Sequence, residues 1–179
     1  GRRSALARDR LSVALLAILS ALSALAWWRG VVPFPFLGSD SGNIASFAAA
    51  WAHPQYFQGD MVLSDPANFR FYVNGLIPLL IALERLFGDF GTAFIALLGP
   101  TFLVQALGWY VLGRLLFADR WAAFLLALLS FGTVSLTVNY YGLYINPEPR
   151  VIFQAVLPYL LAAMLRYGPN PASWPWLMA

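Results

Sequence analysis

The sequence contains no cysteine and no lysine, one histidine, and little charge of either sign. Without cysteine, the chain can form no disulfide bond, thiolate metal site or cysteine nucleophile over these 179 residues. It also lacks a glycine-rich nucleotide loop, a metalloprotease helix and a nucleophile elbow. Zinc chemistry and catalytic-triad chemistry are therefore disfavoured.

Charged residues make up 11% of the chain, against about a quarter in an average soluble domain. Hydrophobic residues make up 60%, and the mean hydropathy is +0.68. A water-soluble domain would struggle to cover so much apolar surface, whereas the length accommodates roughly four to six membrane spans of about 20 residues. All eleven basic residues are arginines that mostly flank apolar runs, so we expect no nucleic-acid partner.

Four apolar segments are candidates for membrane-spanning helices, and a more polar segment of residues 30–89 follows the first of them. The predicted fold is an all-α integral membrane protein with polytopic transmembrane helices, in one transmembrane domain fragment over residues 1–179. The chain starts at Gly1 and stops within an apolar stretch, so we expect it to be a piece of a longer protein. The predicted spans are residues 11–28, 91–117, 121–143 and 151–167.

The positions of the arginines predict the orientation of these spans, because cytoplasmic loops carry an excess of basic residues. The N-terminus is therefore expected in the cytoplasm and residues 30–89 on the extracytoplasmic face of the cell (inner) membrane. A signal peptide over residues 1–28 is the competing interpretation, but no small-residue cleavage site follows the apolar run. The arginines at predicted inner positions are Arg2, Arg3, Arg8, Arg10, Arg114, Arg120 and Arg166.

The external segment of residues 30–89 holds five of the eight acidic residues and the histidine. Residues 39–41 offer helix-capping side chains before a short helix over residues 44–51. Glycine, proline and Asx residues predict a loop over residues 55–68. Residues 69–87 are expected to form a helix that lies at the membrane interface or re-enters it.

Several polar side chains are predicted on this external side, and each has a structural alternative. A carboxylate just beyond a span can act as a general base or hold a cation. The alternatives are helix capping, a solvated loop position, a snorkelling arginine or a structural ion pair. The candidates are Asp40, His53, Asp60, Asp65 and Arg70 in the first external segment, and Glu148 and Arg150 in the second.

One pattern of residues lies between positions 40 and 78: Asp40, His53-Pro54-Gln55-Tyr56-Phe57, Gly59-Asp60, Leu63, Pro66, Phe71-Tyr72 and Pro78. This pattern resembles the first external loop of bacterial GT-C class glycosyltransferases, which use polyprenyl-phosphate sugars. The resemblance implies that Asp40 is the catalytic base and that Arg70 or Arg150 faces the lipid phosphate. Asp60, Asp65 and Glu148 would join the substrate-binding residues. The resemblance allows a divalent cation as a cofactor, but many members of that class have two adjacent acids at the first position, whereas Asp40 stands between Ser39 and Ser41.

By this resemblance, the chain transfers a sugar from a polyprenyl-phosphate-linked donor to an acceptor at the extracytoplasmic face. Its partners would be membrane lipid and the lipid-linked donor. The alternative is a multi-spanning transporter or flippase-like protein, in which charged residues would line a path inside the spans. The span interiors carry almost no charge, which favours the glycosyltransferase.

Overall fold

The computed structural model describes residues 2–31, 39–72, 75–131, 134–136, 139–141 and 149–168, with side chains over 9–26, 41–72, 75–131 and 151–168. This part of the chain is helical apart from one short hairpin. Short 3-10 turns cover Pro54–Phe57 and Arg70–Tyr72. The helices are α1 (Arg2–Val31), α2 (Ser39–Ala52), α3 (Pro66–Phe69), α4 (Leu76–Phe87), α5 (Phe90–Leu116), α6 (Arg120–Leu129) and α7 (Pro149–Tyr167), and the strands are β1 (Val134–Leu136) and β2 (Asn139–Tyr141).

Aspartates determine where three of the helices begin. Asp89 caps α5 by accepting hydrogen bonds from the Thr92 backbone N–H and hydroxyl, at 2.7 and 2.6 Å. Asp119 caps α6 and Asp65 caps α3 in the same way, through backbone amides of the first turn. Such caps satisfy amides that have no partner inside the helix, so each helix start is fixed by a local side chain.

The long helix α5 packs against α1, α6 and α7. It is antiparallel to α1, because Leu16 shares a buried cluster with Ala106, and Ala24 packs on Leu98 and Phe102. The neighbours of α6 show that it too runs antiparallel to α5, since Ser130 accepts a hydrogen bond from Gln105 and Ala123 lies at Gly113.

Helix α7 runs in the same direction as α5. Ile152, near its start, packs on the cluster that contains Phe94, and Tyr159 lies against Gly108. The starts of α5 and α7 therefore lie at one end of the bundle. The start of α1 and the ends of α5 and α7 lie at the other end, which we name the arginine end after Arg114 and Arg166.

Two helices in the described part of the chain are long and apolar enough to cross a membrane. They are residues 9–26 within α1 and the whole of α5, each with a mean hydropathy of 1.7. Only 17% of the first window and 39% of the second are buried inside the protein. Helix α6 and residues 151–167 of α7 are apolar but shorter.

The structure differs from the continuous helix predicted over residues 121–143. Helix α6 ends at Leu129, and β1 and β2 pair antiparallel with Leu136 opposite Asn139. The 10 residues of α6 extend about 15 Å, half of the hydrocarbon thickness. The cause is local sequence, because residues 132–141 combine a glycine with β-branched residues and tyrosines, which favour strands over helices.

The predicted helix over residues 69–87 is interrupted in the structure. Helix α3 ends at Phe69, a 3-10 turn follows, and α4 begins at Leu76. Pro78 lies in the first turn of α4, where its missing N–H costs no intrahelical bond. Helix α2 is longer than the predicted 44–51, so Asp40 lies in its first turn.

Candidate functional site

Residues 39–89 form a helical segment, here named the cap segment, which packs on the first turns of α5. Leu76, Ile77 and Leu80 of α4 are buried together with Ala48 of α2 and Phe94 of α5. The cluster attaches α2 and α4 to the bundle at the end opposite the arginine end. The chain between α2 and α4 carries four of the predicted candidate residues, which are His53, Asp60, Asp65 and Arg70.

Stacked aromatic rings hold the middle of the cap segment. Phe69 is fully buried, with its ring centroid 5.4 Å from that of Phe47, and Phe47 stacks on Tyr72 at 5.1 Å. Trp51 meets Phe69 edge-on at 6.1 Å. These contacts anchor the 3-10 turn that starts at Arg70. The guanidinium of Arg70 is exposed and lies 4.9 Å from the Phe71 ring centroid, and its role in substrate binding stays a prediction.

Asp60 is exposed and organises the turn that follows it. Its Oδ1 atom accepts hydrogen bonds from the backbone N–H groups of Val62 and Leu63, both at 2.8 Å. The bond from Leu63, followed by the one from Val62, lowers the pKa of the Asp60 carboxyl below its ordinary value. This side chain is therefore ionised at neutral pH and held by its own loop.

Asp65 has a comparable structural role. Its Oδ1 atom accepts a hydrogen bond from the Ala67 backbone N–H at 2.9 Å, and Pro66 occupies the first position of α3. Proline is favoured at that position because its missing N–H is not needed there. The structure thus assigns Asp60 and Asp65 to loop geometry, and their part in substrate binding stays a prediction.

The remaining predicted residues lie at the same end of the bundle or outside the described residues. Asp40 lies in the first turn of α2, and Arg150 is the second residue of α7. Ile152 packs on the cluster of the cap segment, so the start of α7 is near that segment. The side chains of Asp40 and Arg150 lie outside the described part of the structure, and Glu148 lies outside the described residues. Their roles stay predictions.

One contact in the cap segment was not predicted from the sequence. His53 Nε2 lies 3.3 Å from Glu84 Oε1, which joins the end of α2 to α4. The sequence indicates only that Glu84 needs a partner, because Glu84 follows Ile77 and Leu80 at helical spacing and lies on the same side of the helix. An acid on the buried face of an amphipathic helix requires a partner, and His53 supplies it.

A second polar cluster lies at the arginine end and was also not predicted. Tyr110 donates a hydrogen bond of 2.7 Å from its hydroxyl to Asp9 Oδ1, across a sequence separation of 101 residues. Arg114 Nε lies 3.9 Å from the same oxygen. These groups line a cavity of about 460 Å³. In the sequence, Asp9 is a single acid among arginines, and nothing local indicates its contact with α5.

Within the described residues, no group of three or more histidine and acidic side chains could hold a metal ion. Comparisons with protein-family models, curated proteins and solved structures find no match to this chain.

Proposed function

We propose that this chain is the membrane-embedded part of a glycosyltransferase that moves a sugar from a polyprenyl-phosphate-linked donor to an acceptor at the extracytoplasmic face. The observation that carries the proposal is the cap segment. It is a polar segment rich in aromatic residues, fixed to one end of an apolar helical bundle. A lipid-linked substrate needs such a boundary between hydrocarbon and water.

The outward face of the bundle supports a membrane location. Leu11, Ile18 and Leu22 of α1 are each more than half exposed, and α6 and α7 expose Leu129 and Phe153. Contiguous apolar surface of this kind is rare on soluble monomers and is stable against lipid. Helix α1 packs on α5 through Leu16, as expected of a helix that belongs to the bundle.

The exposed residues of the cap segment suit an interfacial position. Met61 is 93% exposed and Phe71 83% exposed, and Tyr56 and Tyr72 also show most of their surface. Aromatic side chains favour the headgroup level of a bilayer, and arginine binds phosphate with two parallel hydrogen bonds. Arg70 combines these two features, because its own guanidinium can bind phosphate and the adjacent Phe71 is an exposed aromatic side chain. It is our first choice for the contact to the donor phosphate, with Arg150 as the second.

In this proposal, Asp40 removes the proton from the acceptor hydroxyl. Asp60 and Asp65 keep the intervening loop in shape through their backbone hydrogen bonds, and Glu148 joins the substrate-binding groups. A carboxylate near the water boundary suits the base, because its ionisation responds to the falling dielectric.

The Asp40→Asn substitution in the complete protein tests this role. We expect the rate of sugar transfer to fall by about 10²- to 10⁴-fold, the usual contribution of a general base. Membrane insertion should be retained, because asparagine keeps the shape of the side chain, and one charge in the first turn of a helix contributes only about 0.3–1 kcal/mol. The measurement is release of polyprenyl phosphate from a labelled lipid-linked sugar in nanodiscs.

Asp89→Asn is the matched control, since asparagine preserves the cap of α5 and the change removes the same charge at a position outside the predicted site. It should transfer sugar at nearly the wild-type rate. Wild-type turnover by Asp40→Asn, or an equal loss in both variants, would contradict the assignment of Asp40.

The alternative of a transporter or flippase-like protein receives less support. Residues 11–26 of α1, 90–113 of α5 and 151–165 of α7 contain no charged side chain. An ion or substrate path through the membrane is normally lined by such groups. The charges of the described side chains lie instead in the cap segment and at the arginine end.

A further inference from the structure

We propose that the cavity at the arginine end binds an anionic phospholipid of the adjoining membrane leaflet. This site lies at the end of the bundle opposite the cap segment and is separate from the proposed sugar transfer. Helices α5 and α7 form its walls, and Asp9 of α1 also lines it. Its apolar and aromatic lining includes Tyr110, Val111 and Leu115 from α5 and Tyr159, Ala162 and Ala163 from α7.

The size and walls of the cavity suit the part of a lipid next to its headgroup. Its volume of about 460 Å³ lies within the usual range of small-molecule sites, which is about 300–1,000 Å³. Ala162 and Ala163 leave space because their side chains are small. Apolar walls contribute binding free energy only to hydrocarbon, so a lipid gains more here than a bare phosphate ion does.

The charges of the site select a negative headgroup. Arg114 and Arg166, in the last turns of α5 and α7, both line the cavity. Asp9 is the acidic residue in the lining, which leaves a net charge of +1 from two arginines and one aspartate. The hydroxyl of Tyr110, at 2.7 Å, holds the Asp9 carboxylate, while Arg114 Nε is at the longer distance of 3.9 Å.

The surroundings strengthen this selection. The described side chains at this end include two further arginines, Arg10 and Arg120, and one further aspartate, Asp119. Asp119 accepts hydrogen bonds from the first turn of α6. Four arginines against two aspartates give the end a charge of +2. Basic residues beside a bilayer attract anionic lipids, and guanidinium groups match the geometry of phosphate.

The test uses the complete protein, purified in neutral detergent and titrated with phosphatidylglycerol or phosphatidylcholine while bound lipid is counted by native mass spectrometry. We expect phosphatidylglycerol to bind more tightly. Arg166→Gln should weaken it about fivefold, the usual effect of removing one basic residue near a membrane surface. Ala163→Phe should prevent binding by filling the cavity while both arginines remain.

Arg85→Gln is the matched control, because Arg85 is an exposed arginine in the last turn of α4, in the cap segment. It should leave phosphatidylglycerol binding unchanged. An excess of inorganic phosphate should not displace the lipid. Equal affinity for the two lipids, displacement by inorganic phosphate, or unchanged binding by Arg166→Gln would each overturn the proposal. If Ala163→Phe does not fold, the result for Arg166→Gln is sufficient to test the proposal, because the Arg166 side chain is exposed and its replacement should not disturb folding.

Discussion

Gly113 of α5 lies directly against the backbone of α6 at Ala123. A Cβ atom at Gly113 would lie 2.8 Å from the Ala123 Cα and 3.0 Å from its Cβ. Because the Cα belongs to the backbone, no side-chain rotation can relieve this contact. Small residues allow such close packing between membrane helices, where van der Waals contact replaces the hydrophobic effect as the driving force.

We predict that Gly113→Ala destabilises the protein by about 1–3 kcal/mol, the usual cost of overpacking. Gly99→Ala is the matched control on the same helix, since its Cβ would lie at an ordinary 3.5 Å from the Ala24 Cβ. That variant should be neutral or more stable by up to about 1 kcal/mol, the gain in helix propensity. Thermal unfolding in detergent measures both, and equal melting temperatures would contradict the packing of α6 on α5.

Asp60 gives a prediction that depends on pH. The amides of Leu63 and Val62 lower the folded-state pKa of the Asp60 carboxyl. The contribution of this carboxylate to the stability of the folded turn is therefore complete above the ordinary pKa of 3.8. The contribution is lost as the pH falls through the lowered pKa. Asp60→Ala should therefore increase hydrogen exchange of residues 61–64 at neutral pH while global stability changes little. Unchanged exchange in this variant would show that the carboxylate does not hold the turn.

The sequence predicts part of this site because capping chemistry is local. Asp65 precedes a proline, and Asp60 follows a glycine, so loop and cap roles could be read beside the functional ones. The contact of His53 with Glu84 depends on how α2 meets α4, and that of Asp9 with Tyr110 on how α1 meets α5. No local pattern contains either arrangement.

Among the elements, α6 shows that hydropathy alone does not predict secondary structure. Residues 121–143 are apolar enough for a span, but length and hydropathy do not distinguish a helix from a strand. The β-branched and aromatic residues beyond Phe131 do, and in the structure α6 gives way to β1 and β2. The bounds of α5, Phe90–Leu116, and of α7, Pro149–Tyr167, lie within two residues of the predicted segments 91–117 and 151–167.

The junction between α4 and α5, at Gly88 and Asp89, gives a prediction at the scale of the elements. Asp89 accepts two hydrogen bonds from Thr92, and Gly88 before it adopts a left-handed φ of 88° that ends α4. We predict that Asp89→Ala lowers the free energy of unfolding by about 0.5–2 kcal/mol, and that Asp89→Asn changes it little. Chemical denaturation in detergent provides the comparison. Equal losses in the two variants would mean that charge, and not capping, is the relevant property.

At the scale of the whole molecule, the distribution of charge along the bundle connects fold and proposed function. The arginine bias in the sequence predicts which segments share a side, and the structure brings Asp9, Arg114 and Arg166 to one end. The sequence alone does not identify α5 as the helix that contacts α1, α6 and α7, because that packing depends on the surface shapes of all four apolar helices together. The cap segment lies at the opposite end, on the first turns of α5.

The central claim is that the cap segment and the arginine end lie on opposite faces of a membrane. These 179 residues contain no cysteine, so Ser64→Cys and Ala118→Cys, both at exposed positions in turns, each place a single thiol in this part of the protein. In intact cells, a membrane-impermeant maleimide should label the cysteine at position 64. The cysteine at position 118 should react only after the membrane is permeabilised. Labelling of both positions in intact cells, or of position 118 alone, would contradict the account.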